Sequence, residues 1–286
     1  MEEAYTKYRA YLFSVAYNIL GEIQEAEDLV QDTFEVVLGK EVSGIKNPKA
    51  YLTRIVANKS IDRLQVLKKQ REAYPGTWLP EPLITFTDAV PEGVPQEGIL
   101  AYEVLYALDQ LNPTERAAFV LRTAFDYPYQ ELSLICNTTE VNCRQLVRRA
   151  KQKVSQGVKT PASGATEDQS LQQLINTFLQ ACAAGNPEKL AQFLKQDVAL
   201  YSDGGGKVAA ALNILRGHGV VSKFLVGVTG KKLEQQLGIR QVLVNGRPAV
   251  ILLVNGQTDS VLYLQADGSQ LSQIFFVRNP DKIILK

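Results

Sequence analysis

Cysteine, histidine and tryptophan are scarce in this chain: three, one and one among 286 residues. Cys136, Cys143 and Cys182 are odd in number and show no CxxC or Cys/His spacing. That pattern excludes a disulfide framework and a zinc site; it reads as small buried or half-buried side chains in a reducing compartment. No metal and no cofactor is expected. Long apolar runs are missing too: nothing approaches the roughly 20 residues that a membrane span needs. The N-terminal MEEAYTKYRAYLF is acidic, then amphipathic, without a signal-peptide pattern. No membrane contact is expected, and the chain should stay in the cytoplasm.

Net charge is also small, +1, but its distribution is uneven. Between Glu22 and Glu35 there are six acids and no base; between Glu140 and Lys159 there are six Lys or Arg and one acid. One acidic and one basic helix in a neutral protein point to at least two different partners. With 45% hydrophobic residues, the length accommodates two or three domains, each with its own core.

Residues 1–72 form a first domain, helical from residue 5 on. Tyr5, Tyr8, Leu12, Val15, Ala16 and Ile19 keep a 3.6 period until Gly21, and Ala26, Leu29, Val30, Thr33, Phe34 and Val37 give a second stripe. Asn47-Pro48 is a cap followed by proline at the first helical position. Residues 73–98 break the pattern with five prolines and read as a linker of extended or turn segments. Residues 99–156 are helical again, with Asn112-Pro113-Thr114-Glu115 close to a capping box. A short helix near Gln130–Ile135, the turn CNTT and a helix from Glu140 to Ser155 form a helix-turn-helix pattern. Residues 157–168 form a second, small and polar linker. Residues 169–286 begin with helices and end in IRQVLV, PAVILLV, SVLYLQ and LSQIFFVR, joined by Asn245-Gly246, Asn255-Gly256 and Asp267-Gly268. Helices followed by an antiparallel meander make an α+β domain.

Three polar surfaces stand out. In the basic helix, Cys143, Val147, Ala150 and Val154 should face inward. Arg144, Arg148 and Lys151, with Gln145, Arg149 and Gln152 beside them, offer guanidinium forks and amides to phosphates and base edges; the plain alternative is a solvated basic helix. In the helix after Pro48, Arg54, Asn58 and Asp62 are spaced four apart beside Lys59 and Arg63, with Lys68, Lys69 and Arg71 following. In the acidic helix, Glu25, Asp28, Asp32 and Glu35 line one face without basic partners. It is either a solvated face or a docking surface for a basic partner.

AYNILGEIQEAEDLVQDTF, NPKAYLTRIVANKSIDRL and LDQLNPTERAAFVLRTAFDYPYQELSLICNTTEVNCRQLVRRAKQKV, in that order, resemble regions two and four of bacterial extracytoplasmic-function (ECF) sigma factors. The resemblance spans residues 5–154. It implies two all-α sigma domains, a region 2 bundle and a region 4 helix-turn-helix. It implies that Glu25, Asp28, Gln31, Asp32 and Glu35 dock on the β′ clamp helices of RNA polymerase core. Lys49, Arg54, Asn58, Lys59, Asp62 and Arg63, with the loop before them, would read and melt the −10 promoter element. Asn142, Arg144, Gln145, Arg148, Arg149 and Lys151 would read the −35 element.

The C-terminal part is similar to SnoaL-like domains, which fold as a helix-plus-sheet cone, and sigma factors extended in this way form a subgroup. Its hallmarks are WLPEP in the linker (Trp78, Leu79, Pro80, Glu81, Pro82), DGGGK (Asp203, Gly204, Gly205, Gly206, Lys207) and NPDK (Asn279, Pro280, Asp281, Lys282); Ile283 stands where the subgroup usually has leucine. The resemblance implies cis regulation with no separate anti-sigma factor. Trp78, Leu79 and Pro80 are expected to dock near DGGGK or NPDK, with Glu81 pairing with Lys207 or Lys282. The three glycines after Asp203 read as a sharp backbone feature. Two further readings stay open: a DNA-binding module fused to a SnoaL-like cyclase or isomerase, with Asp203 as base, and an unidentified small ligand in the cone. The lone His218 reads as a surface or capping residue.

Overall fold

The computed structural model describes residues 2–38, 47–86, 98–158 and 165–285. The loop before the Asn47 cap, most of the 87–98 stretch and residues 159–164 lie outside them. The chain divides into two compact units: Met1–Glu72 with Pro91–Val158, and Ala73–Val90 with Lys159–Lys286.

The first unit is all helical among the described residues. Helix α1 (Glu2–Leu20) ends at Gly21, whose φ of +78° suits glycine. Helices α2 (Ile23–Leu38) and α3 (Pro48–Arg71) follow, and the Asn47 side chain accepts the Ala50 N–H at 3.1 Å. After α4 (Tyr102–Ala107) and a single 3-10 turn comes α5 (Pro113–Ala124). Its capping box is complete: Asn112 accepts the Glu115 N–H at 2.8 Å and Glu115 accepts the Asn112 N–H at 3.3 Å. Against the opposing effect of burial, Lys153 and then the Asn112 N–H hold the Glu115 carboxyl below its ordinary value. Helices α6 (Tyr129–Ile135) and α7 (Glu140–Gly157) flank a turn in which Asn137 takes φ +47°. Leu12, Tyr17, Val56, Leu64, Leu121 and Val147 are core residues of this unit. Asn18 is also fully buried, and its amide satisfies the Leu100 N–H and the Gly98 carbonyl.

The second unit packs α8 (Ala165–Ala183), α9 (Pro187–Ala191) and α10 (His218–Leu233) on a seven-stranded sheet. The strands are β1 (Ile84–Phe86), β2 (Leu194–Asp203), β3 (Leu215–Arg216), β4 (Leu237–Val244), β5 (Arg247–Val254), β6 (Gln257–Asp267) and β7 (Gln270–Val277). Their order is β1-β4-β5-β6-β7-β2-β3. Phe178, Ile175, Val221, Val250, Leu264 and Phe276 meet between helices and sheet; full burial of each such side chain contributes roughly 1.5–3 kcal/mol.

Three sequence expectations are corrected here. The sheet is more than the expected antiparallel meander: β4 to β7 form that meander, but β2 joins β7 in parallel, so the whole sheet is mixed. The proline-rich stretch is not merely a connector: Ile84, Thr85 and Phe86 pair with Val244, Leu243 and Val242 as a strand added to the β4 edge. The last hairpin turns on Gly268-Ser269, since Asp267 pairs with Gln270 and Gly268 takes the positive φ, whereas Asn245-Gly246 and Asn255-Gly256 both have positive φ at the two positions.

Candidate nucleic-acid interface and linker anchor

Helix α7 buries Cys143, Leu146, Val147, Ala150 and Val154 and turns Gln145, Arg148, Arg149 and Lys151 to solvent. Thr139 caps it by accepting the Asn142 N–H at 3.2 Å. Two of the expected DNA contacts are engaged locally. The Asn142 amide donates to Thr138 Oγ1 at 2.8 Å, and Arg144 pairs with Glu140 at 3.3 Å while lying over the Tyr129 ring. Burial pushes the Cys136 thiol up to about 12 and also raises that of Cys143, so neither is a ready thiolate.

On α3, Arg54 and Asp62 are exposed, Asn58 and Lys59 half-buried, and Lys49 lies over the Tyr11 ring. On α2, Asp28, Gln31, Asp32 and Glu35 are exposed, with Gln31 donating to Glu35 at 3.1 Å. Glu25 departs from the expectation of an acidic face without basic partners. Packing of α2 on α3 brings it to Arg63 in a two-pronged ion pair with both contacts at 2.5 Å. One member of each expected surface thus neutralises the other.

A second basic cluster is also diverted. Lys68 donates to the Asp109 carbonyl at 2.5 Å, and Arg71 pairs with Asp109 at 2.9 Å and Glu22 at 2.7 Å. The fully buried Arg116 guanidinium of α5 donates to the Asn18 carbonyl and lies 3.9 Å from the same Asp109 carboxylate. Its Nη1 and Nη2 have no hydrogen-bond partner among the described residues. Burial pushes this guanidinium down to about 9, so it stays cationic at neutral pH. Asp109 was not a candidate in the sequence; no motif or period marks a carboxylate in a single 3-10 turn.

In the second unit, Asp203 closes β2 with its side chain fully buried. It receives four donors: Tyr74 Oη at 2.5 Å, the Leu79 N–H at 2.9 Å, the Gly205 N–H at 3.0 Å and Lys282 Nζ at 2.7 Å. Lys282 also donates to the Leu79 carbonyl at 2.6 Å and sits over both the Trp78 and Tyr74 rings, 4.4 and 4.7 Å from their centroids. Asn279 donates to Tyr74 Oη at 3.0 Å. Gly205 and Gly206 are required for contact as well as for φ: a Cβ at the first would meet Asn279 at 2.3 Å, at the second Pro75 at 2.8 Å. WLPEP, DGGGK and NPDK therefore meet at one point. One detail differs from expectation. Leu79, 0% exposed, is the buried plug, while Trp78 is half-buried and lies against Lys282. Lys207 pairs with Asp281, and Lys282 with Asp203.

The cone holds an apolar cavity of about 110 Å³ between α8, α10 and the sheet, lined by Phe178, Cys182, Leu225, Ile239 and Phe276, with Lys232 also in its lining. Neither Asp203 nor the exposed His218 lines it.

Residues 4–70 match the family model for sigma-70 region 2, and residues 102–154 that for sigma-70 region 4. The ECF RNA polymerase sigma factor SigJ of Mycobacterium tuberculosis is 32% identical over 244 residues, 83% of this chain and 76% of that protein. The chain belongs to the ECF RNA polymerase sigma factors. A probable ECF sigma factor, SigI of the same organism, is 26% identical across 98% of this chain and 93% of its own length. The crystal structure of M. tuberculosis SigJ superposes with a TM-score of 0.79 at 28% identity, covering 99% of this chain and 98% of that one. As an ECF sigma factor the protein binds RNA polymerase core and promoter DNA and directs transcription initiation; sigma factors are not enzymes. The fused cyclase or isomerase is not favoured, and the Asp203 carboxylate is already taken up by four donors from the chain itself. Among the described residues no helix is long and apolar enough to cross a membrane.

Proposed function

We propose that the C-terminal unit regulates promoter reading in cis by holding the connector between regions two and four. The observation that carries this is the four-donor Asp203 site, which pins Tyr74 and Leu79 of the connector to the end of the sheet. Residues 73–98 fully extended would reach roughly 85–95 Å at about 3.3–3.6 Å per residue. Pinning residues 74–86 to the sheet removes much of that reach. The −10 and −35 elements lie about 85 Å apart along B-DNA at 3.4 Å per base pair. Release of the anchor would let the two readers separate onto them. Tethering makes the contact intramolecular, at an effective concentration on the order of millimolar, so modest contacts suffice and no separate anti-sigma factor is required.

In the same reading, Asp28, Gln31, Asp32 and Glu35 dock on the β′ clamp helices, with Glu25 behind them on Arg63. Lys49, Arg54, Asn58, Lys59 and Asp62 face the −10 element in the cytoplasmic holoenzyme. Gln145, Arg148, Arg149 and Lys151 face the −35 element, and Asn142 and Arg144 steady the start of the recognition helix. Arg148→Ala should weaken promoter binding by about 1–3 kcal/mol, roughly 5- to 150-fold, while the melting temperature stays put. Unchanged binding in a filter or mobility assay would take α7 off the DNA. The 110 Å³ apolar cavity supports a second reading, in which a small apolar molecule biases the same switch.

A further inference from the structure

The surface of α7 carries one feature that phosphate binding does not use. Val141 lies in the first turn of the helix and is 63% exposed, the only large apolar side chain among the exposed residues of α7. Its neighbours on the same stripe are Gln145 and Arg148, one and two turns on, while Cys143, Leu146, Val147 and Ala150 face the core. A β-branched residue this exposed contributes little to packing and lowers helix propensity slightly. The fold gives no reason for valine here.

The chemistry of the major groove does. In a helix-turn-helix the N-terminal residues of the second helix approach the base edges. Arg pairs with guanine O6/N7 and Gln with adenine N6/N7, while the thymine 5-methyl is met by apolar side chains. The stripe Val141, Gln145, Arg148 presents one side chain of each kind in order along the groove.

We propose that Val141 is a base-reading residue whose methyl groups pack on the 5-methyl of one thymine in the −35 element. This rests on the reading of α7 as the −35 helix. Full-length protein with RNA polymerase core would select binders from a promoter library randomised across the −35 element, in wild-type and Val141→Ala forms. The wild type is expected to enrich thymine at one position, and Val141→Ala to lose that preference while keeping the others. Replacing that thymine by deoxyuridine, which removes only the methyl, should then cost the wild type roughly fourfold in binding, the worth of about one buried methyl group. It should cost Val141→Ala nothing. Leu134→Ala, which removes an exposed side chain on α6, should keep the wild-type sensitivity to deoxyuridine. Equal deoxyuridine penalties in wild type and Val141→Ala, or no enriched thymine, would overturn the proposal. Arg148→Ala in the same selection separates the two levels. If it weakens binding while Val141→Ala keeps its thymine, only the valine assignment fails; if it binds as wild type, the α7 reading fails with it.

Discussion

Asp203→Ala is expected to lower the unfolding free energy of the C-terminal unit by about 3–5 kcal/mol, the cost of removing one partner of a buried ion pair. The physics is asymmetric. The Lys282 side chain is only 7% exposed and that of Asp203 0%, so the ammonium left behind cannot recover its hydration. The Leu79 N–H, the Gly205 N–H and the Tyr74 hydroxyl lose an acceptor in the same step. Part of the cation's environment survives, in the Leu79 carbonyl and the faces of Tyr74 and Trp78. Asp203→Asn keeps an acceptor oxygen and removes the charge, so it should fall between wild type and alanine. Chemical denaturation of the three full-length proteins measures this order. The 73–86 segment, losing its tie to the sheet, should also become the preferred site of limited proteolysis in the alanine variant. Equal stability of all three would show that the segment is held by Leu79 burial and β1 pairing alone.

The second large effect is on transcription. Asp109→Ala should raise initiation by the full-length sigma factor, roughly tenfold for each 1.4 kcal/mol by which the compact first unit is loosened. Asp109 faces cations from α3, in Lys68 and Arg71, and from α5, in Arg116. It thus joins the last helix of region two to the first long helix of region four. Without its carboxylate, Arg116 is a buried charge lacking its counter-ion, and the packing of α3 on α5 weakens. Arg116→Met provides the contrast. It removes the buried charge together with the two terminal nitrogens that find no acceptor, so stability should stay near wild type or rise. Multi-round transcription with core polymerase, with far-UV circular dichroism to confirm helix content, checks both variants. A fall in transcript from folded Asp109→Ala would mean that this packing supports the active form.

Much of this was legible because local chemistry and tertiary structure agree. Asn47-Pro48, the Asn112/Glu115 capping box and the two Asn-Gly hairpins each specify their backbone within a few residues, and each formed as read. The inward stripe of α7 followed from its period. What stayed hidden depends on distant partners. β2 carries little strand signature in LKQD and gains its identity from β7, more than 70 residues away. β1 is three residues among prolines and exists because the β4 edge is open to it. The Glu25–Arg63 and Asp109 pairings are decided by helix packing, which no single helical face reveals. The linker anchor lay between these cases. Its three segments were recognisable as motifs, and their meeting was expected. That Asp203 and Lys282 form its centre, with Leu79 as the plug, required the geometry.

The central claim is that the connector anchor restrains promoter reading. The most direct measurement is run-off transcription by core polymerase with full-length protein and with a chain ended after Arg278. The shortened chain lacks Asn279 and Lys282, and so loses the cation that joins Asp203 to Leu79. More transcript from the shortened chain than from the full-length protein is the predicted result; equal transcript from the two would contradict it.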